Sequence, residues 1–298
     1  MKLAVTGATG QVVRALVERA PVGVTVVALG RPLIDLADPA GIAPALARIG
    51  ADVVVNAAAY TAVDRAETDS AAAFAINAVG AGAVAAAARS LELPLIHIST
   101  DYVFDGTKAA PYVETDPTGP TGVYGASKLA GELAVMDAHP DAVIARTAWV
   151  FSPFGGNFVK TMLRLAATRE EVGVVADQLG NPTSALDIAD AVLAMAANLV
   201  ARPREQALRG LFHMTGSGEA SWADFATHIF AISGAHGGPV ARVKAIATSD
   251  YPTPARRPAN SRLDCSRLAQ VHGVRLPDWR LSADTIVARL LTIQETRA

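Results

Sequence analysis

Hydrophobic positions in the first half of the chain fall into two alternating textures. Short runs rich in β-branched residues occupy Lys2–Thr6, Val24–Leu29, Asp52–Asn56, Leu95–Ser99 and Val143–Thr147. Longer alanine-rich stretches lie between them, near Gln11–Arg19, Pro39–Ile49, Ala71–Ser90 and Tyr124–Ala138. The short runs are apolar almost throughout, the pattern of a strand buried on both faces. Strand and helix in alternation predict a parallel sheet with helices on both sides, a Rossmann-type doubly wound α/β fold.

After Val150 the texture changes. Ser152-Pro153-Phe154-Gly155-Gly156 is a turn-rich break. Helical patterns follow near Phe158–Thr168, Leu186–Val200, Ser221–Ile232 and Ser282–Thr292, and a strand-like run at Leu211–Thr215 can return to the first sheet. Tyr251–Pro258 carries too many prolines for helix or strand and predicts a stiff, extended loop. These patterns divide the chain into a dinucleotide-binding domain, residues 1–150, and a smaller, partly interleaved C-terminal lobe, mainly 151–298, for substrate.

Composition narrows the class. Hydrophobic residues make up 51% of the 298 positions and aromatic ones 5%, so the core must be built from Ala, Val, Leu and Ile. A net charge of -2 gives no electrostatic footprint for nucleic acid or an anionic membrane. The single cysteine, Cys265, cannot form an internal disulfide and suits a reducing compartment. The N-terminus opens on a strand pattern, without a signal-peptide pattern, and the alanine-rich runs near Ala71–Ala88 and Ala189–Val200 are interrupted or too short for spans. The expectation is a cytoplasmic globular protein, monomer or homodimer.

Candidate chemistry begins at Thr6-Gly7-Ala8-Thr9-Gly10-Gln11-Val12-Val13, which follows the first strand and opens the first helix. Glycines there permit a sharp turn and let backbone N–H groups approach a pyrophosphate at a helix N-terminus. Val13 stands where a third glycine is common and should push the helix slightly outward. A glycine pair alone also fits an ordinary tight turn; its place after a strand favours a dinucleotide. At the end of the second strand Gly30 replaces the acidic residue that would bind a ribose 2′-OH, and Arg31 can meet a 2′-phosphate, which points to NADPH with NADH as the second choice. Asp35-Leu36 can flank the adenine. The small residues of Asn56-Ala57-Ala58-Ala59-Tyr60-Thr61 let a cofactor cross the strand tips.

The fourth strand leads into Thr100-Asp101, and Tyr124 and Lys128 follow with i, i+4 spacing. On a helix such positions share a face, with Cβ atoms about 5–6 Å apart. Reduction of a ketone needs a hydride on carbon and a proton on the developing alkoxide. A nearby ammonium should lower the tyrosine pKa from about 10 towards useful acid–base range, and a Thr100 hydroxyl can bind the substrate oxygen.

With these motifs the chain resembles the extended short-chain dehydrogenase/reductase family, most closely its branch that reduces the C4 ketone of dTDP-4-dehydro-L-rhamnose. The resemblance runs nearly end to end, through VVNAAAYTAVD (54–64), IHISTDYVFDG (96–106), VYGASKLAGE (123–132), NFVKTMLRLA (157–166), DQLGNPT (177–183) and YPTPARRPANSR (251–262). It implies a triad of Thr100, Tyr124 and Lys128. It implies cofactor contacts from Gly10, Gln11, Val12, Asp35, Leu36, Ala59, Tyr60 and Thr61, beside Gly7 of the turn, and substrate contacts from Thr100, Asp101 and Trp149. Arg256 and Arg257, on a prolyl frame, suit the diphosphate of a sugar nucleotide, because guanidinium binds phosphate oxygens in a planar fork. Some relatives dimerise around magnesium held by a glutamate in the first helix. The matching residue here is Ala15, which counts against that metal. Two other readings stay open: a sugar-nucleotide epimerase or dehydratase, although Asp101-Tyr102 lacks the Asp-Glu elimination pair, and a non-catalytic regulatory subunit of the methionine adenosyltransferase type.

Overall fold

A computed structural model describes residues 1–295. Five parallel strands come from the first half: β1 (Lys2–Thr6), β2 (Thr25–Leu29), β3 (Val53–Asn56), β4 (Leu95–Thr100) and β5 (Val143–Thr147). The strand Gly210–His213 returns and pairs parallel with β5. The order across the sheet is Gly210–His213, β5, β4, β3, β1, β2. The direction of strand addition reverses between β1 and β3, so a crevice opens at their C-terminal ends, where such sheets hold ligands. Burial explains the strand texture: every residue of β3 and β5 is buried, whereas the edge strand β2 is only partly covered.

One face of the sheet packs on α1 (Gln11–Arg19) and the Ala185–Ala201 helix, through Leu16, Ile188 and Val192. The other packs on α2 (Pro39–Ala47) and the Ser70–Ser90 helix, through Ile42, Leu46 and Val84. The Ser70–Ser90 helix is long and apolar enough to cross a membrane by length and composition, and half of it is buried inside the protein. It contains one π-helical stretch, Ala75–Gly80, and packs closely on the Val123–Ala138 helix. At that crossing a Cβ on Gly131 would lie 2.0 Å from the Asn77 carbonyl oxygen, so only glycine permits the approach.

A second core gathers Phe151, from the short strand Val150–Phe151, with Val159, Phe225 and Ile286 from the helices Phe158–Ala166, Trp222–Ala235 and Trp279–Glu295. Beside it Glu171–Val175 pairs parallel with Arg242–Ile246. The hydrophobic pattern did not predict these two strands, because neither has a continuous apolar run: Val172, Val174 and Val175 are buried in one, and most of the other is exposed. The helix Ser266–His272 also went unpredicted, being seven residues long. The chain crosses between the two cores, since residues 185–214, Leu268 and Leu276 contribute to the first.

Candidate active site

The glycine turn has the form of an anion cradle. Gly7 adopts φ 100° and donates its N–H to Leu29 O at 2.8 Å, folding the turn back on β2. Gly10 caps α1 and no side chain bonds the first helical N–H groups. Those donors and the helix dipole suit a pyrophosphate, so the turn fits a dinucleotide. Val13 is buried beneath it, 3.2 Å from where a Gly7 Cβ would stand. Gln11 leaves the turn sideways: its Oε1 accepts from Ser152 Oγ at 2.7 Å and Asn157 Nδ2 at 3.1 Å, tying the turn to the break before the second lobe. Val12 packs against the first core.

The end of β2 has a steric reason for its missing carboxylate. A Cβ on Gly30 would lie 2.6 Å from Ala8 Cβ, so no side chain fits there while the turn keeps its shape. Arg31 is exposed and lies 4.0 Å from Asp35 Oδ2. Leu36 is buried in the core, and its carbonyl packs so closely on Gly80 that a Cβ there would lie 2.4 Å from the oxygen. Ala59 and Tyr60 are half-buried and Thr61 is exposed beyond β3. Tyr60 is fixed by Asn77, whose side chain bonds the Tyr60 N–H at 2.8 Å and its carbonyl at 3.1 Å. Asn77 sits in the π-helical stretch, a form often found at functional sites.

Thr100 ends β4 and Tyr124 and Lys128 share a face of the Val123–Ala138 helix. Burial pushes the Tyr124 phenol above its ordinary value, with the Thr100 hydroxyl opposing the shift. This reverses the expectation that Lys128 lowers it. Lys128 is turned to β4 instead, donating to Ile98 O at 2.8 Å and lying 3.5 Å from His97 Nε2. Burial brings the Lys128 pKa down to about 8, against the pull of Glu132. The Thr100 hydroxyl donates to Asp101 Oδ1 at 2.9 Å, while Asp101 Oδ2 is buried without a partner. Burial raises Asp101 to about 6.

The other residues expected to bind substrate come from the second half. The Trp149 backbone is left-handed (φ 47°), unusual for a bulky residue, so its surroundings fix the indole. It stacks on Trp222 at 3.5 Å between centroids, and Trp222 Nε1 donates to Gln178 Oε1 at 3.2 Å. Of the two arginines, Arg257 turns inward: it pairs with Asp64 at 2.8 Å and lies 5.9 Å from the Tyr102 ring centroid, which meets Tyr124 edge-on at 5.6 Å. Arg256 is exposed. Ala15 is fully buried, and among the described residues no group of three His, Cys, Asp or Glu could hold a metal ion. The sequence alone assigned no role to the side chains of Asn56, Asp64, Asn77, His97, Gln178 and Trp222. Asn56 and His97 were detectable as polar residues inside apolar strands.

The sequence pattern of the RmlD substrate binding domain matches residues 1–292. The chain belongs to that family. A dTDP-4-dehydrorhamnose reductase of Sinorhizobium fredii is 51% identical over 291 residues, covering 98% of each chain. A probable dTDP-4,6-dihydroxy-2-methyloxan-3-one 4-ketoreductase of Streptomyces antibioticus is 40% identical, covering 94% of this chain and 92% of the relative. The crystal structure of a dTDP-4-dehydrorhamnose reductase from Bacillus anthracis, in complex with NADP, superposes with a TM-score of 0.89 at 32% identity, covering 97% and 99% of the two chains. Membership of the RmlD family agrees with an α/β fold that carries Thr100 at a strand tip and Tyr124 and Lys128 on the helix Val123–Ala138.

Proposed function

We propose that this RmlD-family protein reduces the C4 ketone of dTDP-4-dehydro-L-rhamnose to dTDP-L-rhamnose, using NADPH in preference to NADH. The observation that carries this reading is the contact between the Thr100 hydroxyl, at the tip of β4, and half-buried Tyr124, with buried Lys128 one turn along the same helix. The names of its relatives support the substrate class. When bound to Gly7, Gly10, Gln11 and Val12, the dinucleotide supplies the hydride. Tyr124, kept protonated by burial, gives its proton to O4. Thr100 holds the carbonyl oxygen, and Lys128 holds the cofactor ribose.

The absence of any side chain at Gly30, with the exposed Arg31 next in the chain, supports the 2′-phosphate preference. The aromatic wall of Trp149 and Trp222 suits a sugar ring, and Arg257 suits the diphosphate better than Arg256 because it is already turned inward. The first core carries the cofactor in this reading and the second carries the substrate. The enzyme works in the cytoplasm as a monomer or homodimer, without a magnesium bridge at Ala15.

The test is NADPH consumption with dTDP-4-dehydro-L-rhamnose against other 4-keto sugar nucleotides. A relative at 40% identity is a probable 4-ketoreductase named for a different sugar nucleotide, so the comparison is needed. The expected result is the highest kcat/KM for the rhamnose precursor and a higher kcat/KM with NADPH than with NADH. Net interconversion of sugar nucleotides without NADPH consumption would replace the reductase reading with an epimerase or dehydratase.

A further inference from the structure

A line of polar side chains crosses three strands of the sheet in register. Thr6 on β1 pairs with Asn56 on β3, and Asn56 pairs with His97 on β4. All three are buried, and their side chains are bonded in series. The series has a direction. Thr6 Oγ1 accepts from the N–H groups of Ala57 and Ala58, both at 3.1 Å, which occupies its two lone pairs. Its own hydrogen must therefore go to Asn56, at 2.6 Å, and the atom it meets is Oδ1. The Asn56 amide is thereby oriented, and its Nδ2 donates to His97 Nδ1 at 3.0 Å. Burial holds the His97 pKa well below its ordinary value, with Lys128 adding to the effect, so the ring is neutral. A neutral ring that accepts at Nδ1 carries its hydrogen on Nε2. That N–H faces Lys128 Nζ at 3.5 Å.

An N–H opposes an ammonium and hydrogen-bonds the lone pair of an amine. We propose that His97 is a positioning residue of the catalytic site: locked by Thr6 and Asn56 with Nε2–H towards Lys128, it seats the lysine on β4 and favours the amine over the ammonium. The proposal rests on the reductase reading for its consequence but not for its geometry. After Tyr124 has given its proton to the product alkoxide, Lys128 can return one. The Nζ–H bond breaks, the phenol O–H bond re-forms, and the electron pair left on Nζ meets the His97 N–H. Solvent then restores the ammonium. The other titratable and charged groups around Lys128 are Tyr124 and Glu132 on its own helix, Arg146 on β5 behind Glu132, and Asp101 beyond β4.

The experiment begins with nitrogen-15 NMR of histidine-labelled protein, with the His97 signals assigned by their loss in His97→Gln. The expected result is a neutral ring protonated on Nε2 across neutral pH; a ring protonated on Nδ1, or an imidazolium, overturns the proposal. In Thr6→Val the lock is removed and the second tautomer should appear; an unchanged ring overturns the assigned direction. In turnover, His97→Leu should lower kcat about tenfold, the worth of one hydrogen bond, and move the pH limb of kcat upward. His97→Gln, whose amide N–H can face Lys128, should recover most of both. A Leu variant with unchanged kcat and an unmoved limb overturns the proposal. Wild-type protein that reduces no 4-keto sugar nucleotide overturns the reductase reading alone, because the tautomer is measured without substrate.

Discussion

Lys128 and Glu132 stand one turn apart on the same helix, and both reach into β4. Glu132 is fully engaged. Its Oε1 accepts from Ser99 Oγ at 2.5 Å and Arg146 Nε at 2.8 Å, and its Oε2 from Arg146 Nη2 at 2.6 Å. Both members of the ion pair are about 5% exposed or less, and the guanidinium lies 4.9 Å from the Phe104 ring centroid. Lys128 is equally deep but gives a hydrogen bond to one carbonyl, Ile98 O, and faces His97 Nε2 at 3.5 Å. An ammonium has three donors, so capacity remains for a ribose or a proton. Burial with both carboxylate oxygens bonded builds structure. Burial with bonding capacity left over leaves a group that can still react.

The largest expected effect separates the two by exchanging their readouts. Lys128→Met should leave a folded protein and lower kcat by about 10²–10⁴, the range for loss of a general acid–base group. Glu132→Gln should do the opposite, since it leaves the Arg146 charge buried without its counter-charge. The expected cost is about 3–5 kcal/mol of stability, measured by denaturant unfolding, with kcat per folded molecule kept. The double change Glu132→Leu with Arg146→Met should recover most of that stability, because well-packed apolar replacements of buried pairs are often neutral. Loss of kcat in Glu132→Gln without loss of stability would erase the distinction.

The same distinction recurs at the mouth of the site between neighbouring arginines. Arg257 is half-committed: Asp64 takes Nη2, while Nη1 is buried without a partner. Arg256 is exposed. If spare bonding capacity marks the working group, Arg257→Met should raise KM for the sugar nucleotide about tenfold or more, the worth of a hydrogen bond to a charged group. Arg256→Met should change it about twofold or less, as exposed charges contribute little. Equal effects from both would mean that the prolyl loop supplies charge without orientation.

Much of this was legible in the order of residues, and the exceptions have physical causes. Buried parallel strands must be apolar on both faces, so β1, β3, β4 and β5 announced themselves, as did the return of Gly210–His213. The pair Glu171–Val175 and Arg242–Ile246 did not, because a partly exposed strand has no continuous apolar signature. In the site, helix periodicity placed Tyr124 and Lys128 together, but not the direction in which Lys128 points. That direction depends on Ile98 O and His97, brought beneath the helix by tertiary packing. Likewise Thr6, Asn56 and His97 are visible one by one, and only strand register joins them. Gly30 looked like a departure at a cofactor position; contact with Ala8 makes it a packing requirement of the turn.

The last expected effect is a slope in stability that one of the two buried helix groups should show. The Lys128 pKa is about 8 in the folded protein against an ordinary value of 10.5. Between those values the unfolded chain binds a proton that the folded chain has released, so stability rises with pH. Below about 8 both states are protonated and the burial penalty is carried in full; the rise should begin near 8 and end near 10.5. Unfolding measured across this window in wild type and Lys128→Met isolates the contribution, because Met does not titrate and the other groups are common to both proteins. The wild type should gain stability relative to Lys128→Met as pH rises. A difference that stays flat would mean that Lys128 is solvated well enough to keep its ordinary ammonium, and the contrast with Glu132 would then be one of partners alone rather than of reactivity.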